Sequence, residues 1–402
     1  MISRSVLAKR NIQDMTSGSW IRQMFEEGIK LKRKVGEDKV FDFSLGNPSF
    51  NPPPAVQRKL EELVRDPGKH GYMQNAGFPD VRLRIAEHLS TRHRLPTPLT
   101  ANHIVMTSGA GGALNVIFET LLNPGDEVIV PKPFFVEYLY YVQRHQGKLV
   151  LVPTREDFQL DLEKIEQAIT PKTKAILINS PNNPSGAVYS EESLRALAAL
   201  IDEKEKEYGR DIILVTDEPY AGLVYDGSVV PPTLQIFPHS ILATSNSKDL
   251  GLAGERIGFL AISPLNGNPG ALFDGLVFCN RILGFINAPA IWQRAVAEMQ
   301  GKAVGLAEYQ ARRDLLYEAL TAMGYSVVKP QGTFYLFPRS PIPDDVAFSL
   351  AALGHNLLVV PGRGFGAPGH FRLSYSSISQ EQIRRSLPAF RALAEQYGLV
   401  KA

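Results

Sequence analysis

The sequence predicts an α/β protein with a mainly parallel sheet between helices, followed by a smaller α+β domain. Three observations carry this. Between residues 103 and 263, short apolar runs alternate with glycine-bearing turns and amphipathic stretches, the pattern of repeated strand–helix–strand units. One of these runs, Asp211–Thr216, is apolar at nearly every position, as expected of a strand covered on both faces. At 402 residues the chain is too long for one small core and suits two domains.

Composition narrows the function classes. The net charge is +2, and no basic stripe is interleaved with aromatics, so nucleic acid is not implied. The one cysteine, Cys279, excludes a disulfide framework and reads as a buried core residue in LVFC. The N-terminus lacks an apolar leader core, and no stretch is long enough to span a membrane, so the expected location is cytoplasmic. No metal-ligand pattern and no internal repeat stand out.

Taken in order, residues 1 to 40 read as a polar arm and helix with an apolar stripe of Trp20, Ile21, Met24 and Phe25. A strand around Val40, Phe41 and Phe43 runs into the turn Gly46-Asn47-Pro48. Helices are predicted at 55–65 and 79–92, the second burying Leu83, Ile85, Ala86 and Leu89. Strand His103–Thr107 meets the glycine turn 108–112 and helix Ala113–Leu122. Strands follow at EVIV and Ala175–Asn179, then helix Ser190–Tyr208 and strands Asp211–Thr216, Ser240–Ala243 and Ile257–Ser263. Residues 269–323 read as helical, carrying the chain into the small domain. That domain combines strands Ser326–Lys329, Thr333–Phe337, Leu357–Val360 and Phe371–Tyr375 with helix Asp344–Gly354. Gly362–Gly366 reads as a turn.

Several residues in this frame carry chemistry. Lys248 follows a strand, so it lies at the carboxyl edge of the sheet, where open α/β folds bind ligands. An amine there can condense with a carbonyl compound; read plainly, it is a solvated loop lysine. Ser245, Ser247 and Arg256 are groups that can hold a phosphate beside it. The glycine turn opening a helix offers the backbone N–H groups of Ala110 and Gly111 to the same anion. No acidic residue ends the strand EVIV, so the turn is not a dinucleotide fingerprint. Asp217 ends a buried strand and needs a partner there; a cap is its plain alternative. Phe135, after Pro133, can stack on a flat ring, and Tyr138 is a possible second contact, whereas Phe134 suits core packing. Arg372 alternates with apolar residues in a strand and has the fork geometry for a carboxylate; its alternative is a surface arginine on an edge strand.

The order Ser-x-Ser-Lys-x-x-Gly-Leu-x-Gly-x-Arg-x-Gly, from Ser245 to Gly258, resembles the cofactor-lysine segment of the class I/II pyridoxal-phosphate-dependent aminotransferases, the fold-type-I family around aspartate aminotransferase. The other motifs follow in family order from Phe41 to Tyr375. The resemblance implies a large domain at 46–285 with a seven-stranded sheet, an arm at 1–45 that joins the small domain, and a small domain at 286–402. It implies that Lys248 holds pyridoxal 5′-phosphate, that Asp217 pairs with the ring nitrogen, and that Asn183 and Tyr220 bond the 3′ oxygen. Phe135 would stack on the ring. Gly46 and Asn183 would lie against substrate, and Arg372 would bind its α-carboxylate. Tyr72, in Tyr-x(4)-Gly-x-Pro, would cross a homodimer interface to the neighbour's phosphate. The implied reaction moves an amino group between an L-amino acid and a 2-oxo acid by a ping-pong route.

One departure is that Gly111 stands where some aspartate-acting branches carry a lysine, which leaves a strict aspartate preference open. The same cofactor site would also serve a carbon–sulfur β-lyase or an aminocyclopropane-carboxylate-synthase-like enzyme. A non-catalytic cofactor-binding regulator is the alternative of another class.

Overall fold

The computed structural model describes residues 6–17, 20–66, 68 and 70–400. In chain order the described strands are β1 (Phe41–Asp42), β2 (Ile104–Thr107), β3 (Glu127–Lys132), β4 (Lys148–Pro153), β5 (Thr173–Asn179), β6 (Ile213–Asp217), β7 (Ser240–Ser245), β8 (Gly258–Ile262), β9 (Tyr335–Leu336), β10 (Leu357–Leu358), β11 (Val360–Pro361) and β12 (Phe371–Ser374). The chain forms two compact units. Unit 1 comprises Met1–Gly46, Ala311–Lys329 and Tyr335–Ala402; unit 2 comprises Asn47–Gln310 and Pro330–Phe334. Residues 286–310, placed with the small domain by the sequence reading, lie in unit 2.

Unit 2 is built on a seven-stranded sheet in the order β2-β8-β7-β6-β5-β3-β4. Only β8 runs antiparallel to its neighbours. Strand β6 is buried along its whole length and β5 at every residue but Lys174, and alternate residues feed different cores. Ile213 and Val215 pack with Val128, Val130 and Ile117, while Leu214 packs with Ile176, Ile178 and Leu197. Each such side chain contributes about 1.5–3 kcal/mol when fully buried.

One covering helix begins and ends where its sequence signals say. Helix Glu191–Tyr208 starts at Ser190, whose hydroxyl accepts the N–H of Ser193 at 3.1 Å, and stops at Gly209 in the left-handed conformation. It buries Leu194, Leu197 and Ile201. Helix Pro79–Arg92 corrects one expectation: Leu83 is exposed, and Arg82 is buried in its stead. Leu83 falls on the side opposite the Val81-Ile85-Leu89 stripe. Arg82 is satisfied by Gly77 O at 3.2 Å, Ala101 O at 2.7 Å and Gln74 Oε1 at 3.0 Å.

The helical stretch expected over 269–323 is three helices: Pro269–Ile282, Ala290–Ala297 and Leu306–Ala322. Gly284, Gly301 and Gly305, all at positive φ, open the chain between them.

Unit 1 contains helices Lys9–Ser17 and Trp20–Val35, the parallel pair β1–β10, and a three-stranded antiparallel sheet β11-β12-β9. Met24 is buried and Trp20 half-buried, while the side chains of Ile21 and Phe25 lie outside the described residues. The strand expected at Ser326–Lys329 is absent. Val328 is exposed there, and Pro330 brings no N–H to a ladder. Helix Asp345–Gly354 is capped by Asp344, whose carboxylate accepts the N–H groups of Val346 and Ala347 at 3.1 Å each.

Candidate active site

The carboxyl edge of the unit 2 sheet assembles most of the residues singled out above. Strand register aligns Asn179, Asp217 and Ala243 across β5, β6 and β7. Asp217 is 5% exposed. Its Oδ2 accepts the phenol of Tyr138 at 2.5 Å, and its backbone carbonyl accepts the amide of Asn179 at 2.8 Å. Its Oδ1 is buried with no hydrogen-bond partner among the described residues. Burial pushes the Asp217 carboxyl up to about 7; the Tyr138 bond opposes this and the charge of Glu218 adds to it. Tyr138 is in turn held well above the usual phenol range by its own burial and by Asp217. The second contact expected of Tyr138 is therefore with the carboxylate. Phe135 is half-buried, with its ring edge-to-face to Tyr138 at 5.6 Å, and Phe134 belongs to the core.

Asn183 is buried in the turn after β5, its N–H donating to Asn179 Oδ1 at 2.7 Å. Tyr220 is buried after β6 and lies edge-to-face with Phe334 at 5.5 Å. Lys248 follows β7, with Nζ 5.9 Å from the Tyr220 ring centre and 5.5 Å from that of Phe334. Phe334 was not among the sequence candidates. It comes from the short return of the chain into unit 2, which no local pattern reveals.

Next to the lysine turn the backbone offers a candidate anion site. Helix Gly109–Leu121 begins directly after β2 and presents its first N–H groups, including those of Ala110 and Gly111. The sequence reading started this helix at Ala113; the glycines form its first turn. Gly109 has φ +71°, and a Cβ there would sit 2.8 Å from Arg256 Nη2. Gly258 opens β8 opposite both Thr107 and Ser245. A Cβ on Gly258 would collide with the carbonyl of Thr244 and lie 2.9 Å from Gly109 Cα. Absence of side chains at these two glycines lets the helix start, Arg256 and the buried Ser245 and Ser247 converge. Arg256 also donates to Ala253 O at 3.0 Å.

The remaining candidates lie elsewhere. Tyr72, in unit 2, is 91% exposed. In unit 1, Arg372 is buried in the central strand of its sheet rather than on an edge. It donates to Ser44 O at 2.6 Å and lies 4.5 and 4.7 Å from the ring centres of Tyr335 and Phe365. Gly46 has a reason internal to unit 1: a Cβ there would collide with the Tyr335 hydroxyl. Among the described residues, Glu205, Asp211 and His239 could together hold a metal ion, but Glu205 already accepts from His239 Nδ1 at 2.9 Å and Ile212 N–H at 2.7 Å.

Pyridoxal phosphate fits this edge. Its protonated ring nitrogen would satisfy the orphaned Asp217 Oδ1, and its phosphate suits the helix start with Arg256 and the two serines. Comparison with known proteins agrees. Residues 38–390 match the family described as aminotransferase class I and II. The aspartate/prephenate aminotransferase of Thermus thermophilus is 36% identical over 376 residues, covering 90% of this chain and 93% of that protein. The probable aspartate aminotransferase of Methanocaldococcus jannaschii is 33% identical, covering 88% and 93%. Among solved structures, an amino transferase from Eubacterium rectale superposes with TM-score 0.93 at 38% identity, covering 97% of this chain and 99% of that one. The Thermus thermophilus aspartate aminotransferase with maleate gives 0.83 at 32%, covering 96% and 99%. The chain belongs to the class I and II aminotransferases and is a pyridoxal-phosphate-dependent transaminase.

Proposed function

We propose that this enzyme moves the amino group of an L-α-amino acid to a 2-oxo acid in two half-reactions, with Lys248 as the acid/base. Pyridoxal phosphate, when bound, supplies an electron sink for the pair left as Cα loses its proton. Lys248 Nζ would accept the Cα proton as base and donate it again as acid. Asp217 keeps the ring nitrogen protonated, held in place by Tyr138 and Asn179. Asn183 and Tyr220 would hold the ring through its 3′ oxygen, and Phe135 would stack on it. The N–H groups of Ala110 and Gly111, with Ser245, Ser247 and Arg256, hold the phosphate. Arg372 would take the α-carboxylate, and Gly46 would lie against the substrate. The observation that supports this reading most is the buried Asp217 carboxylate with one oxygen bonded and the other left over.

The amino donor extends beyond aspartate in this reading. A Cβ on Gly111 would lie 3.1 Å from the Tyr141 hydroxyl, so a phenol stands where a lysine side chain would begin. We also propose a cytoplasmic homodimer in which Tyr72 reaches the neighbour's phosphate. Its exposure, and that of Phe278 and Ile282 on helix Pro269–Ile282, supports this.

Titration of the holoenzyme with single L-amino acids, followed by absorption, tests the assignment. The expected result is conversion of the cofactor band, with the matching 2-oxo acid released. Lys248→Ala should lower turnover by at least about 10²-fold. Pyruvate and ammonia as products, or undiminished turnover in that variant, would overturn the reading.

A further inference from the structure

Beside the lysine turn, unit 2 contains a cavity of about 360 Å³. None of the residues assigned to the cofactor lines it. Part of its wall is made instead by their chain neighbours: Glu218 after Asp217, Ala221 after Tyr220, and Asn246 and Asp249 flanking Ser247-Lys248. Strand β7 ends at Ser245 and the chain turns through residues 246–249, so Asn246 and Asp249 line the cavity while Ser247 and Lys248 between them do not.

The lining has a definite chemistry. Asn246 is 3% exposed, and its Oδ1 has no hydrogen-bond partner among the described residues. Beside it, the Asp249 carboxylate accepts from the Asn246 side-chain amide and from the N–H of Leu250 at 2.8 Å. Asn246 Oδ1 is left over as an acceptor, and the ionised Asp249 carboxylate beside it has accepting capacity to spare, so this end suits a ligand that donates. Burial pushes the Asp249 carboxyl up to about 7, which a cationic donor would reverse. Further along the wall stand Lys302 and Arg92, the latter ion-paired with the buried Glu218. These are donors for an anion. Leu89 and Phe259 supply apolar wall between them.

We propose that this cavity binds a free α-amino acid as an effector, its ammonium on Asn246 and Asp249 and its carboxylate toward Lys302 and Arg92. A ligand there touches the residue covalently next to Lys248, so its occupancy changes turnover. The binding claim stands on unit 2 alone; the effect on turnover rests on the transaminase reading.

Calorimetry on holoenzyme whose cofactor has been fixed to Lys248 by borohydride reduction tests the proposal, because no amine exchange or turnover can then occur. The probes are the common L-amino acids, one at a time. The expected result is one saturable site per chain for at least one of them. Lys302→Glu and Val229→Trp, both at the cavity wall, should each weaken it about ten-fold or more. Arg372→Leu should leave it unchanged. In unreduced enzyme the same amino acid should change kcat by roughly five-fold or more, an effect the two wall variants lose. Binding of no amino acid, or binding lost in Arg372→Leu and kept in both wall variants, overturns the proposal. Failure of transamination itself is read separately, from the absorption titration.

Discussion

Asp217 sits where a carboxylate is costly, and the cost has a measurable sign. In cofactor-free protein its carboxyl is raised to about 7, first by burial. An aspartate in the unfolded chain titrates near 3.9. Between those values the folded state keeps a proton that the unfolded state has lost, so stability falls as pH rises from about 4 to about 7. Asp249, also raised to about 7 mainly by burial, acts in the same direction. Asp217→Asn should therefore flatten, without abolishing, the pH dependence of unfolding in cofactor-free protein. Its share is up to about 4 kcal/mol; an unchanged slope between pH 5 and 8 would contradict this. Tyr138→Phe tests the other half of the arrangement. It removes the donor at 2.5 Å, and cofactor dissociation should quicken about ten-fold, the cost of a lost bond to a charged group. The sequence could point to Asp217 because a charge closing an apolar strand is conspicuous by itself. It could not name the Tyr138 partner, which depends on the order β6-β5-β3 bringing the residues after β3 over the end of β6.

At the scale of elements, the anion site is set by how closely β8, the start of helix Gly109–Leu121 and Arg256 approach. Gly109→Ala meets both a positive φ and a guanidinium 2.8 Å away. It should cost about 1–2 kcal/mol in urea unfolding and weaken cofactor binding. Gly258→Ala should cost more, because its obstacles are backbone on two sides. Gly111→Ala has normal φ and only a phenol end nearby, and should be the mildest of the three. The alternation of apolar runs and glycine turns made the sheet and its helices legible. The runs over 269–323 and Ser326–Lys329 misled because helical content and β-branched residues persist through segments that positive-φ glycines and Pro330 interrupt. Arg372 likewise read as a one-sided alternation, whereas all four residues of β12 are buried. A two-period pattern cannot tell a central strand from an edge.

At the scale of the molecule, the role proposed for Tyr72 requires that two chains meet. Tyr72 is 91% exposed, so within its own chain it does little packing. Helix Pro269–Ile282 adds Phe278 and Ile282, one turn apart and exposed at 52% and 50%, an apolar surface that water does not favour. If Tyr72 serves the neighbouring site, each active site takes Lys248 from one chain and Tyr72 from the other. Tyr72→Phe and Lys248→Ala then damage different members of the same site. In a mixed dimer one site carries both defects and the other carries neither. Equimolar mixing of the two variants, with subunit exchange, should therefore give more activity than the mean of the two alone, approaching about a quarter of the parent when pairing is random. Phe278→Asp with Ile282→Asp should yield monomers by sedimentation and abolish that gain. If Tyr72 acted within its own chain, the mixed dimer would contain no intact site and mixing would add nothing; a parent that sediments as a monomer at micromolar concentration would remove the premise.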